Sequence, residues 1–162
     1  MDDVIARLAA TPGALAHLLV DVAEERLDMA FAGDWSTRTI LAHLRDGESL
    51  SMRLNLERIL AEDTPAIRFL DPREWEPGRN RSRDRKEWLL ADFALQRQAS
   101  LALLRALRPP DLARRARLAD GEITLRDLAA EWVRRDAEHI ARLEAAIGET
   151  LAESLARRTR PE

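Results

Sequence analysis

The chain has 162 residues, the size of one ordinary domain and enough to bury a core without disulfides or a structural metal. With 46% hydrophobic and 34% charged residues, 6 Gly, 7 Pro and few aromatic or β-branched side chains, the composition points to an all-α globular protein. The absence of cysteine excludes disulfides, a thiol nucleophile and thiolate metal sites, and the net charge of -3 argues against general affinity for nucleic acid or an anionic membrane.

The opening "MDDVIARLAATPGALAHLLV" has no basic leader before an apolar stretch. No segment approaches the roughly 20 apolar residues of a membrane span, so a soluble cytoplasmic protein is expected. Thr11 followed by Pro12 predicts a helix start, with the hydroxyl as cap and the helix running from Pro12 through Leu19. Residues 23–27 either continue it or form a separate turn. In "FAGDWS", Asp34 or Ser36 caps a second helix reaching about Ala61. Three prolines and a glycine make residues 62–84 mostly loop. Helical periodicity returns through Trp88, Leu89, Phe93, Leu101, Leu104 and Leu107, and Pro109 with Pro110 ends it. Residues 109–124 read as an irregular link, and Thr124 with Asp127 forms a capping box that opens a fourth helix. Gly148 ends or bends that helix, leaving 149–162 as a fraying helical extension. Four helices with two long links predict a single-domain four-helix bundle, its core spanning about 12–148, in which sites are built from inward-pointing side chains.

The fourth helix raises a chemical question. Leu125, Leu128, Trp132, His139, Leu143 and Ile147 form an inward stripe that also carries Arg135 and Asp136. Polar groups buried there need partners, a metal or a ligand. The second helix offers a counterpart, because Ile40, His43, Gly47, Leu50 and Leu54 fall on one stripe. Gly47 leaves space beside His43, and Asp46 lies three positions on. Two helices thus carry His-x-x-Asp and Asp-x-x-His. Two imidazoles with one or two carboxylates suit a divalent ion such as zinc or nickel, while core histidines with ordinary hydrogen bonds are the alternative.

"DWSTRTILAHLRDGES", a Pro-containing loop with Trp75, a Leu-rich third helix and "TLRDLAAEWVRRDAEHIARL" together resemble the DinB/YfiT-like superfamily over roughly residues 12–147. Its members show W-S-x-x-E, then H-L-x-D-x-E, then H-D-x-x-H. Trp35, Ser36, His43, Leu44, Asp46, Glu48, Asp136 and His139 match. The resemblance implies a four-helix bundle, often dimeric, with a metal on three histidines; characterised relatives include transferases and isomerases that use a low-molecular-weight thiol. Thr39 replaces the acidic residue of the first motif, which concerns helix capping. Arg135 replaces the first histidine of the last motif, which concerns the metal.

Arginine carries no free lone pair for a metal. Either Asp136 or Asp46 becomes the third ligand beside His43 and His139, with Arg135 swung aside, or the guanidinium occupies the cation site and pairs with Asp46 or Glu48. The second is favoured, because a fixed positive charge repels a divalent ion. The function that follows is a variant or degenerate metal-dependent thiol S-transferase with an incomplete triad. The alternative is a metal-free binder of a small anion, or a stress-associated homodimer without catalysis. The pocket is assigned to Arg135, Asp46, Trp132 and Gly47. His17 is read as structural or partly exposed, and "PGRNRSRDRKE" and "ARRAR" as solvated, salt-bridged surface that does not bind nucleic acid.

Overall fold

The computed structural model describes residues 1–28, 35–79 and 81–158, with side chains as far as Gly148 except Ser82. Asp34, one of the two caps considered for the second helix, and the last residues of the "RRTRPE" tail lie outside this set. Four long helical rods make the bundle: α1 (Asp2–Leu19), a second rod built from α2 (Thr37–Gly47), a π segment (Glu48–Arg53) and α3 (Leu54–Ala61), then α5 (Lys86–Arg105) and α6 (Leu125–Arg158). A short helix, α4 (Pro72–Trp75), interrupts the long loop before α5. No described helix is long and apolar enough to cross a membrane.

Local chemistry sets several boundaries. Ser36 caps α2 by accepting the backbone N–H of Thr39 at 3.2 Å, and the two hydroxyls lie 3.1 Å apart. Thr39 therefore stays inside the cap even though it lacks the acidic group of a full capping box. At α6 the box is complete: Asp127 N–H donates to Thr124 Oγ1, and Thr124 N–H donates to Asp127 Oδ2. Gly148 does not end that helix, which continues to Arg158.

The start of α1 departs from expectation. The helix begins at Asp2 and passes through Pro12, and Thr11 is a buried interior residue rather than a cap. Proline inside a helix frees the carbonyl four residues before it, here that of Leu8. Arg97 on α5 donates to that carbonyl at 2.9 Å, replacing the bond that Pro12 cannot make.

The second rod also turns differently from a regular helix. A π segment winds more widely, so the buried face after it arrives about one residue late. Glu48, Ser51, Met52, Asn55, Leu56 and Ile59 are buried, whereas Leu50 and Leu54, expected inward, are 56% and 45% exposed. Residues 68–70 dock against this stretch, with Asn55 donating to the Arg68 carbonyl and Leu70 N–H donating to Ser51 Oγ. Trp88, expected on the inward stripe of α5, is likewise about half exposed.

The link before α6 is partly ordered. Strands β1 (Arg115–Leu118) and β2 (Gly121–Thr124) pair antiparallel, with Leu118 opposite Gly121. Gly121 adopts φ 156°, a conformation side chains disfavour. Arg114 precedes the hairpin and donates to the carbonyls of Ile59 and Glu62, satisfying groups left open at the end of α3.

The core divides into two apolar clusters along the bundle axis. One holds Leu8, Met52, Leu101, Leu104 and Trp132; the other holds Leu15, Leu44, Leu89, Phe93 and Leu143. On each rod a polar residue lies between them: Thr11, Glu48, Arg97 and Asp136. This polar layer is the centre of the molecule.

Candidate functional site

Arg97 organises the layer. It is 1% exposed and all five of its N–H groups have acceptors. Its Nε and one terminal nitrogen donate to Glu48 Oε1 and Oε2, both at 2.9 Å. Asp136 accepts two bonds, at 2.6 and 3.0 Å, and the Leu8 carbonyl takes the remaining donor. Trp132 Nε1 donates to Glu48, and Thr11 Oγ1 donates to Asp136. The guanidinium also sits 4.8 Å from the Phe93 ring centroid. Burial opposes the charge on Arg97, but Asp136 and Glu48 outweigh it and hold the group protonated. The sequence reading did not single out Arg97, although it lies four residues after Phe93 and four before Leu101, on the inward stripe itself.

Beside this layer lies a cavity of about 30 Å³ lined by His43, Gly47, Ser51, Trp132, Arg135 and His139, among others. Two helices bring the imidazoles together, with ring centroids 5.3 Å apart. Trp35 and Trp75 enclose His43 at 4.9 and 5.1 Å. Gly47 borders open space, as its spacing from His43 suggested: a Cβ there would meet nothing within 4 Å. The Nδ1 atoms of both His43 and His139 are buried with no partner among the described residues.

Both imidazoles are held neutral at ordinary pH. Burial is the main cause of lowering His43 to about 4, followed by the charges of His139 and Arg135, with Asp46 opposing. Burial likewise leads for His139, also lowered to about 4, with Arg142 and Arg135 adding to it. Above about pH 6.5 these groups are neutral both folded and unfolded. Between about 6.5 and 4 the unfolded chain takes up protons that the folded chain refuses, so stability falls as pH falls through this window. The loss is on the order of a few kcal/mol. Urea unfolding at pH 7, 6 and 5 with chelator present checks this, and a His139→Gln variant is expected to show a visibly shallower slope.

The acidic residues near the cavity are already committed. Asp46 receives Arg45 on both oxygens, at 2.7 and 3.2 Å, and Trp75 Nε1 at 2.8 Å. Arg45 reaches on to the buried Asp84 at 3.1 Å, tying the loop before α5 to α2. Asp46 therefore braces Trp75 behind His43 and is not part of the cavity wall. Glu48 and Asp136 belong to Arg97. Arg135 pairs with neither Asp46 nor Glu48, contrary to the favoured sequence reading. Its Nε donates to Glu131 at 2.8 Å, one turn back on α6, and its guanidinium lies 4.2 Å from the Phe69 ring centroid. The buried cation expected at position 135 is supplied by Arg97 instead.

A three-ligand metal centre does not fit this donor set. A divalent ion of the zinc type needs three or four donors. The two imidazoles are suited to it, but Arg135 has no lone pair, and Asp136 and Asp46, considered as third ligands, already accept hydrogen bonds on every oxygen. Among the described residues no group of three His, Cys, Asp or Glu is placed to hold an ion.

The fold and the paired histidines define a helical-bundle protein with a polar pocket at mid-axis. The chain belongs to the DinB superfamily, whose model matches residues 7–159. It is also similar to YfiT from Bacillus subtilis, a probable metal-dependent hydrolase with an unusual four-helix bundle topology. The two share 25% identity and superpose with a TM-score of 0.83, covering 92% of this chain and 86% of that one. No curated protein matches the sequence.

Proposed function

We propose that the cavity binds the anionic end of a small molecule, with Arg135 supplying the charge and His43 and His139 orienting the ligand as neutral hydrogen-bonding groups. The state of the charges carries this reading. The nearby carboxylates are held by arginines and indoles, whereas the two terminal nitrogens of Arg135 make no hydrogen bond among the described residues. A guanidinium with free donors, half-buried at a cavity mouth, is suited to a carboxylate. The imidazoles, neutral and unpartnered at Nδ1, are available to hydrogen-bond the same ligand. An Arg135→Gln variant is expected to bind acetate and propionate about 10- to 100-fold more weakly than the parent, the worth of a charged hydrogen bond. Calorimetric titration checks this, and equal affinities for the two proteins would reject the reading.

A second reading has its own support in the two unpartnered imidazole nitrogens and the likeness to YfiT. It makes the protein metal-dependent, as that relative is described to be, with transferase or isomerase chemistry on a low-molecular-weight thiol resting on the sequence resemblance alone. It requires a third donor from outside the described residues. Stoichiometric zinc or nickel in purified protein, lost in His43→Ala, would favour it over the first.

A further inference from the structure

We infer that the ligand of this cavity is amphipathic, with a carboxylate held at Arg135 and an unbranched apolar tail lying in a groove on the other side of that arginine. The inference rests on the anion reading above and adds the groove and the tail.

The inner cavity is too small for a whole ligand. About 30 Å³ accommodates one or two water-sized groups, enough for a carboxylate head and little more. Beyond Arg135 lies a second, more open depression of about 460 Å³, with Phe69, Leu118, Ile123 and Ala130 in its walls. The two hollows use adjacent faces of α6. Trp132, Arg135, Asp136 and His139 face the inner one, while Asp127, Ala130, Glu131 and Arg134 face the outer. Arg135 stands on the border, bonded to Glu131 of the outer face and stacked on Phe69 of the outer wall.

The charges set the orientation of an occupant. In the outer groove Asp127 is engaged with Thr124, and Arg134 is engaged with Glu131 and Glu138. Arg134 uses three of its five N–H donors on those carboxylates and Arg135 uses one, so Arg135, at the inner end, is the cation with more donors to spare among the described residues of this path. Asp127 and Glu131 in the groove wall disfavour an anion there, so the charged end of a ligand belongs on the free terminal nitrogens of Arg135. The apolar remainder then covers Phe69, Leu118 and Ile123, which are only partly buried against the core.

The test is calorimetric titration of the full chain with straight-chain carboxylates from acetate to decanoate, and with the matching primary alcohols. Affinity for the carboxylates is expected to rise about two- to fourfold per methylene over several carbons and then level off. Ala130→Gln, at an exposed position on α6, and Ile123→Ser should each flatten this rise while leaving acetate affinity unchanged. Arg135→Gln should weaken all carboxylates by a similar factor and leave the alcohols unaffected. Carboxylate affinity independent of chain length would overturn the groove and leave the anion site standing. Alcohols binding as tightly as carboxylates would overturn the anion site, and no carboxylate binding at all would overturn both.

Discussion

Replacing Arg97 with methionine is expected to cost about 3–5 kcal/mol of stability, because two buried carboxylates then lose their counter-charge. For a domain of this size that corresponds to a fall in thermal midpoint of roughly 6–20 °C. The side chains of Glu48 and Arg97 are each 1% exposed and that of Asp136 is 8% exposed, so water cannot take over the missing bonds. The Leu8 carbonyl freed by Pro12 would also lose its donor. Lysine should be intermediate, since one ammonium has three donors and cannot serve both carboxylates in the forked geometry that a guanidinium provides. Adding Glu48→Gln and Asp136→Asn to Arg97→Met should recover much of the loss, because the penalty comes from uncompensated charge. Thermal unfolding of the single and triple variants decides the matter, and a single variant as stable as the parent would show that Arg97 does not organise the layer.

What could be read from the sequence was whatever depends on neighbouring residues. Ser36, the Thr124–Asp127 box and the Pro109–Pro110 stop act within one turn of chain, and each marks a boundary in the structure or close to it. The hairpin was overlooked although "ADG" carries a turn signal, because strands of four residues hold too few alternating positions to stand out. Pro12 misled for a tertiary reason: the helix tolerates it because an arginine 85 residues later satisfies the open carbonyl. The π segment misled in the same way. Its phase shift turned Leu50 and Leu54 outward, and residues 68–70, distant in sequence, dock on the rod beside it.

The site was legible in its histidines and illegible in its charges. His43 and His139 meet because each lies on an inward stripe that spacing reveals. The sequence offered Asp46 or Glu48 as the partner of Arg135, and the actual partner, Glu131, lies one turn back on the same helix, where spacing alone does not decide between a local and a cross-bundle pair. Arg97 escaped notice because a single arginine on a leucine-rich stripe reads locally as an exposed residue. Its burial depends on two carboxylates from two other helices, and local periodicity carries no information about those.

Arg135→His is expected to convert the cavity into a metal site. Position 135 lies one turn before His139 on α6 and lines the same cavity as His43, so an imidazole there joins two others already neutral and unpartnered at Nδ1. The substitution also removes a fixed positive charge that contributes to the low proton affinity of both histidines and would repel an ion. The variant should bind about one equivalent of zinc or nickel. At a metal concentration a hundredfold above Kd, binding stabilises by about 2.7 kcal/mol, which raises the thermal midpoint by roughly 5–10 °C. Chelator should reverse the rise, and adding His43→Ala should abolish it. Asp136 need not take part, since three imidazoles leave the fourth position to water or substrate, and its bonds to Arg97 and Thr11 can remain in place. If the variant takes up no metal under these conditions, the side chain at 135 does not converge with the two histidines, and the difference between this pocket and a three-histidine centre lies in backbone geometry as well as in one residue. If it does, the guanidinium alone separates an anion-binding pocket from a metal-binding one on the same bundle.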